Sequence, residues 1–178
     1  MCSSGARIRT RAELFSGGVS RRRLDAAQRN GSLTRLRRGV YADANTCDIA
    51  RRAALLGGTL ACVSAARHEG LWVLSPAEPL HVAVRPDGHR RSDGAVIHWD
   101  RIDHDAFGPP HVREVLRQIL RCCGVEDFLV ALESALHQRR IGGADLTWLA
   151  ANTNETGREA IAFARADAES GLETLVRW

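Results

Sequence analysis

The order of helix and turn signals over residues 10–41 limits the fold of this chain more than any other feature. Thr10 and Glu13 form a capping-box pair, in which each residue satisfies a backbone N–H of the other at a helix start. Gly17 and Gly18 follow one short helix later and predict a turn. Ser20 is then a favourable N-cap for a second helix.

The second helix is predicted over residues 21–30, and Gly31 is a favourable stop signal. After it we predict a strand, a turn and a return strand, over residues 33–36, 37–39 and 40–42. Helix, turn, helix and hairpin in this order are typical of a winged helix-turn-helix.

The rest of the chain predicts a small sheet covered by helices, which makes the fold class α+β. Helical patterns occur over residues 49–56, 65–71, 112–123, 125–136, 145–151 and 159–177. Strand-like patterns occur over residues 80–85 and 95–100. We predict three parts: a winged helix-turn-helix domain over 1–43, an α+β body over 44–166, and a terminal segment over 167–178.

Positive charge is concentrated in the predicted winged domain. Residues 1–42 hold ten Arg against Glu13 and Asp25, a net charge of +8, whereas the remaining residues carry −4. The chain contains no Lys, so every basic side chain offers the planar guanidinium fork that grips phosphate or guanine. A basic segment of this kind indicates a polyanionic partner. Aromatic residues make up only 5% of the chain, which argues against a single-strand binder built on base stacking.

A helical wheel of the second helix predicts which face meets DNA. Leu24 and Ala27 fall together and form the buried side, while Arg22, Asp25 and Arg29 fall on the opposite side. We expect the outer face to enter the major groove and the hairpin arginines to grip phosphate or a minor groove. The predicted DNA-binding residues are Ser20, Arg21, Arg22, Asp25, Arg29, Arg35, Arg37 and Arg38. The alternative interpretation is a solvated basic face or a protein-contact surface.

Asp25 has two interpretations. In the first, its carboxylate accepts a hydrogen bond from a cytosine amine of the DNA. In the second, the carboxylate orients Arg21 or Arg29, each of which lies one helical turn away.

No pattern predicts a cofactor, a metal site or a catalytic site. The histidines His81, His89, His98, His104 and His111 are scattered over strands and loops without metal-binding spacing. The segment Asp103–Asp105 fits a polar turn better than an acid–base site. The five cysteines lack any Cys-x-x-Cys pair, so we expect reduced thiols in a cytoplasmic protein that does not span a membrane.

Residues 18–41 carry a resemblance to the N-terminal domain of AbiEi-type antitoxins of type IV toxin–antitoxin systems. The similarity continues more loosely through residues 64–71, the strand over 80–85 and the helical region. The chain resembles the actinobacterial branch of this family, whose members commonly end in a very-short-patch-repair-like endonuclease domain. The resemblance implies a regulator that binds double-stranded DNA, represses its own operon and opposes a nucleotidyltransferase toxin. It leaves open whether a cognate toxin exists and whether the protein is a homodimer.

Residues 168–177 resemble the first helix of that endonuclease domain, with Glu173 at the position of an acidic residue on the helix. Since the sequence ends at Trp178 and one Glu cannot assemble a metal site, we expect no cleavage activity. We expect this helix to pack its Leu172, Leu175 and Val176 side against the preceding helices or against a second copy of the chain. Two rival functions remain: a catalytically inactive endonuclease relative that tethers DNA, and a protein-interaction module that binds a toxin.

Overall fold

The fold mixes helices with two small sheets, as the sequence predicts. The coordinates are those of a computed structural model, and the structure describes residues 7–84, 93–99, 107–108 and 110–178. The chain divides into two compact units: Met1–Leu60 with Val82–Pro109, and Ala61–His81 with Pro110–Trp178. His89, His104, the segment Asp103–Asp105 and the strand ends Arg85 and Asp100 lie outside the described residues.

The first unit begins with two short helices and a three-stranded antiparallel sheet. Its elements are β1 (Ile8–Thr10), α1 (Arg11–Ser16), α2 (Arg21–Arg29), β2 (Leu33–Arg37) and β3 (Val40–Asp43). Strand β3 is central and pairs with both β1 and β2. Both helices and the β2–β3 hairpin occur where the sequence predicts them, with ends that differ by one residue or so. The pattern did not predict β1, which is only three residues long.

The predicted caps form at both helix starts. The Thr10 hydroxyl accepts from the backbone N–H of Glu13 at 3.2 Å, and the Glu13 carboxylate accepts from the N–H of Thr10 at 2.6 Å. Ser20 caps α2 by accepting from the N–H of Arg23 at 3.3 Å. Gly18 has φ of +83°, a left-handed conformation that costs glycine no steric strain, and it lets the chain turn between the helices. These local contacts fix where α1 and α2 begin.

A small apolar core holds these elements together. The side chains of Leu14, Leu24, Leu33 and Tyr41 are buried against one another, so each helix and each hairpin strand contributes one. The partly buried Phe15, Val19 and Ala27 pack around them. Leu24 and Ala27 are the residues that the helical wheel assigns to the buried face, which confirms the orientation of α2.

The first unit continues through α3 (Asp48–Leu56) to a second sheet, which contains β4 (Thr59–Leu60), β5 (His81–Val84) and β6 (Val96–Trp99) in that order. Strands β4 and β5 are antiparallel, with Thr59 opposite Ala83. Gly58 precedes β4 and lies so close to β5 that a Cβ atom there would be 1.9 Å from the Ala83 carbonyl oxygen. Only glycine permits this approach of the two backbones.

The second unit is helical and is built around one buried helix. Its elements are α4 (Cys62–His68), α5 (Val112–Cys123), α6 (Val125–His137), α7 (Gly143–Ala151), α8 (Glu155–Phe163) and α9 (Gly171–Arg177). Every residue from Asp127 to Ala135 on α6 is buried. The helices predicted over 112–123 and 125–136 are confirmed as α5 and α6, and their Leu116, Ile119 and Leu132 are completely buried.

The structure differs from the C-terminal helical prediction in one respect. Residues 159–177 are not one helix, since α8 ends at Phe163 and α9 begins at Gly171. Of the two packing partners expected for the apolar side of α9, the preceding helices do not cover Leu172 or Val176, which are 74% and 89% exposed within the single chain. The buried residue of α9 is Thr174, whose hydroxyl donates to the carboxylate of Glu133 on α6.

The cysteines differ in state. Cys47 is disulfide-bonded, so the expectation of reduced thiols is wrong there, whereas Cys62, Cys122 and Cys123 are free. In the part of the chain that the structure describes, no helix has both the length and the apolarity needed to cross a bilayer.

Candidate nucleic-acid interface

Helix α2 presents one apolar side to the core and a charged side to solvent. Leu24 is 3% exposed, whereas Arg21, Arg22, Asp25 and Arg29 are all exposed. Because Leu24 packs into a core shared with the hairpin, the outward direction of these side chains is fixed by the fold. Arg23 is exposed as well. The helical wheel does not place it on the outer face, because it lies next to Ala27 on the wheel.

The hairpin adds two fully exposed arginines and one that is partly engaged. Arg35 is exposed on β2, and its Nε donates to the carbonyl of Arg37 at 3.4 Å. Arg38 is exposed in the turn that Gly39 closes with φ of +78°. Arg37 is half-buried, with its guanidinium carbon 5.6 Å from the centre of the Phe107 ring. Arg37 is therefore less available to a ligand than its place in the hairpin predicts.

We call the exposed set the arginine surface; it consists of Arg21, Arg22, Arg23, Arg29, Arg35 and Arg38. Within the described ranges, no carboxylate forms an ion pair with any of them. Arginines elsewhere in the chain are paired internally, as Arg140 is with Glu69 at 2.5 Å. The arginine surface thus keeps its positive charge uncompensated by neighbouring acids, which is the condition for attracting a polyanion.

Asp25 does not orient a neighbouring arginine. Its carboxylate is exposed and has no hydrogen bond or ion pair with Arg21, Arg29 or any other residue that the structure describes. An exposed ion pair on a helix is worth only a few tenths of a kcal/mol, so solvation of the separate charges competes well with it.

Three other charged residues, Asp43, Arg9 and Arg51, make hydrogen bonds that hold the framework of the first unit. Asp43 at the end of β3 accepts from the backbone N–H of Arg7 at 2.9 Å and from the Arg9 guanidinium at 2.5 Å. The Arg51 guanidinium donates to the carbonyls of Thr46 and Ala44 at 2.9 and 2.7 Å. These contacts hold the edge strand β1 and the segment after β3, so Arg9 and Arg51 act as structural residues.

Sequence reasoning missed a second group of chemically active side chains, which lies in the second unit. Cys62, His81 and Cys122 present ligand atoms within 4.8 Å of one another. Burial raises the pKa of the Cys62 thiol, and the neighbouring Cys123 raises it further. Burial lowers the pKa of the His81 imidazole, which favours its neutral form. The three residues are 19 and 41 positions apart in sequence, and no spacing motif indicates that they meet.

Comparison with known proteins finds no family model that matches the chain and no matching curated protein.

Proposed function

We propose that this protein is a DNA-binding transcriptional regulator whose residues 7–43 act as a winged helix-turn-helix. The arginine surface is the observation that carries the proposal, because its guanidinium groups are exposed and unpaired by acids on a helix and a hairpin that share one core. Double-stranded DNA offers one negative charge per about 1.7 Å of axis, which matches a dense, fixed set of cations.

Helix α2 is the segment proposed to enter the major groove. Its nine residues span about 14 Å, a length that fits across the groove, and its apolar side is occupied by the core. Arg22 and Arg29 are assigned to base edges, since a guanidinium donates two parallel hydrogen bonds to guanine. Ser20 and Arg21 lie at the helix N-terminus, where backbone N–H groups favour a phosphate.

The β2–β3 hairpin is assigned to the DNA backbone. Arg35 and Arg38 are exposed there, so they are available for phosphate contacts or for a minor groove. Contacts of this kind position the protein and contribute affinity for every sequence. The hairpin therefore supplies general affinity, and α2 supplies the preference among sequences.

The resemblance to AbiEi-type antitoxins supports a more specific role, in which the protein represses its own operon and opposes a nucleotidyltransferase toxin. The DNA site proposed for this role lies just upstream of the protein's own gene. The regulator proposal rests on the arginine surface and does not depend on the existence of a toxin.

The test is a DNA titration with the full chain, using the duplex from upstream of its gene and a scrambled duplex of equal length. We expect tighter binding to the upstream duplex. The logarithm of its affinity should fall linearly with the logarithm of salt concentration, by roughly 0.9 for each phosphate contact. A matched control is Arg158→Ala, which removes an exposed arginine from the second unit and should leave both affinities unchanged. Affinity that does not respond to salt would overturn the proposal.

A further inference from the structure

Three residues of the second unit bring thiol and imidazole groups together. Cys62 is the first residue of α4, His81 is the first residue of β5, and Cys122 is the next-to-last residue of α5. Backbone contacts fix these segments: the Ala61 N–H donates to the His81 carbonyl at 3.0 Å, and the His81 N–H donates to the Ser64 hydroxyl at 2.9 Å. The cluster is therefore a consequence of how α4, α5 and β5 pack.

A buried glutamine ties the two cysteines' helices to each other. Gln118 precedes Cys122 by one helical turn on α5, and its side-chain oxygen accepts from the Cys62 backbone N–H at 2.8 Å. Gln118 is only 4% exposed, so this hydrogen bond is shielded from water. It places the start of α4 against the face of α5 that carries Cys122.

The distances suit a tetrahedral metal ion. The Cys122 Sγ lies 3.9 Å from the His81 Nδ1, and all three ligand atoms lie within 4.8 Å of one another. Zinc bonds of about 2.3 Å to sulfur and 2.0–2.1 Å to nitrogen place neighbouring ligand atoms roughly 3.3–3.8 Å apart. Shifts of an ångström or less would bring the three atoms to that spacing.

The chemistry of the ligand atoms limits which metal ion the site can bind. Thiolate sulfur and imidazole nitrogen select zinc over the oxygen-preferring cations Mg²⁺ and Ca²⁺. Two thiolates also neutralise a divalent ion, which matters because Cys62 is fully buried and His81 is 7% exposed. Cys62 moreover has φ of +48°, an unusual backbone conformation for a residue with a side chain, and such conformations occur disproportionately at ligand sites.

We propose that Cys62, His81 and Cys122 bind a Zn²⁺ ion that cross-links the starts of α4 and β5 to the end of α5. Both thiols give up their protons to solvent when the ion binds, and the histidine coordinates as neutral imidazole. The ion joins segments that are far apart in sequence, and three protein ligands leave one coordination position open. This site lies outside the residues proposed to contact DNA and is independent of that function.

Metal content is the first measurement. The full chain, prepared without a polyhistidine tag, should bind about one Zn²⁺ per chain when titrated against a chromogenic chelator. Cys122→Ser and His81→Ala should each weaken zinc binding by more than the roughly 10–100-fold that loss of an outer-shell partner costs. Cys123→Ser is the matched control, because Cys123 is adjacent to Cys122 in sequence but is not one of the proposed zinc ligands. Its Sγ lies 3.7 Å from the Sγ of Cys62.

A second readout separates lost ligands from lost folding. Zinc at about 100 times its dissociation constant should raise the melting temperature of the parent chain and of Cys123→Ser by about 5–10 °C. The same concentration of zinc should not raise the melting temperature of Cys122→Ser, even if circular dichroism shows that this variant is fully folded. With Co²⁺ as the probe, the parent should show the visible absorption of tetrahedral thiolate coordination. Undiminished zinc affinity in Cys122→Ser, or an equal loss in Cys123→Ser, would overturn the proposal.

Discussion

The carboxylate of Glu133 on α6 is completely buried and accepts hydrogen bonds from the Arg177 guanidinium on α9, at 2.6 and 2.7 Å. The Thr174 hydroxyl and the backbone N–H of Arg165 donate to the same carboxylate, at 2.5 and 2.8 Å. Helix α9 is thus attached to the central helix through a hydrogen-bonded charge pair, while its apolar Leu172 and Val176 point to solvent.

Removal of Arg177 should destabilise the second unit strongly. Arg177→Ala leaves the Glu133 charge buried without its cation, and breaking a buried pair in this way costs about 3–5 kcal/mol. Arg165→Ala is the control, because Arg165 pairs with Asp167 at the exposed surface and its loss should change stability little. Urea denaturation measures the free energy of unfolding of both variants. Equal free energies of unfolding for the two variants would show that the Glu133–Arg177 pair is not a main attachment of α9.

Leu24→Ala should weaken DNA binding without touching a DNA-contact residue. Leu24 is buried in the core beneath α2, and a Leu-to-Ala change in a core costs about 2–5 kcal/mol. Leu55→Ala makes the same change at a side chain that is 48% exposed, and it should have little effect on unfolding or on DNA affinity. Denaturation and the DNA titration should change together in Leu24→Ala. Full DNA affinity in a clearly destabilised variant would contradict this coupling.

Single arginine changes should separate base contacts from backbone contacts. If Arg22 or Arg29 contacts a base, its replacement by Ala should cost about 1–3 kcal/mol on the preferred duplex and reduce the preference over scrambled DNA. Arg35→Ala and Arg38→Ala should weaken binding to both duplexes evenly. Arg37→Ala should have a smaller effect on affinity, since Arg37 is engaged with Phe107. Equal losses on both duplexes for all five variants would refute the division of roles.

Stability should depend on pH through Glu69. The His68 imidazole, 3.6 Å from its carboxylate, and the Arg140 guanidinium lower the pKa of Glu69 to about 2. This stabilisation is complete above the unfolded-state pKa of about 4.5 and is lost as pH falls towards 2. Glu69→Gln should therefore be less stable by about 1–2 kcal/mol at pH 7, and the difference should vanish near pH 2. Glu159→Gln, at an exposed site on α8, is the control and should show no such dependence.

Gly58 should not tolerate a methyl group. In Gly58→Ala the Cβ would meet the Ala83 carbonyl, so β4 and β5 would have to separate at a cost of at least about 1–3 kcal/mol. Gly142→Ala is the matched control, because a Cβ at that position meets nothing within 4 Å. Thermal unfolding distinguishes the two. A Gly58→Ala protein as stable as Gly142→Ala would mean that the approach of β4 to β5 is looser than described.

The first 43 residues were the most predictable part of the chain because their signals are local. A cap such as Thr10 or Ser20 acts on a backbone group three residues away, and Leu24 needs only helical periodicity to define a buried side. The hairpin is equally local, since Gly39 closes its turn. The structure changes the exposure of Arg37 because Phe107, its ring partner, is distant in sequence.

The errors arose where long-range partners override a local pattern. Residues 164–170 contain good helix formers, yet the chain breaks there and the Arg165 N–H bonds to Glu133, 32 positions earlier. The same buried acid selects Thr174, rather than Leu172, for the inner side of α9. Cys62, His81 and Cys122 likewise meet only through tertiary packing. A lone acid or cysteine on an apolar helix gives no indication of which distant residue it contacts.

The arginine surface has a further consequence for how this protein can be controlled. Guanidinium groups stay protonated at any pH that a cell reaches, so the positive potential of the surface does not vary with cellular pH. The chain has no Lys side chain, so lysine acetylation cannot weaken its charge. If this surface binds DNA as proposed, its occupancy can change through ionic strength, competing ligands, the amount of protein or modification of side chains other than lysine.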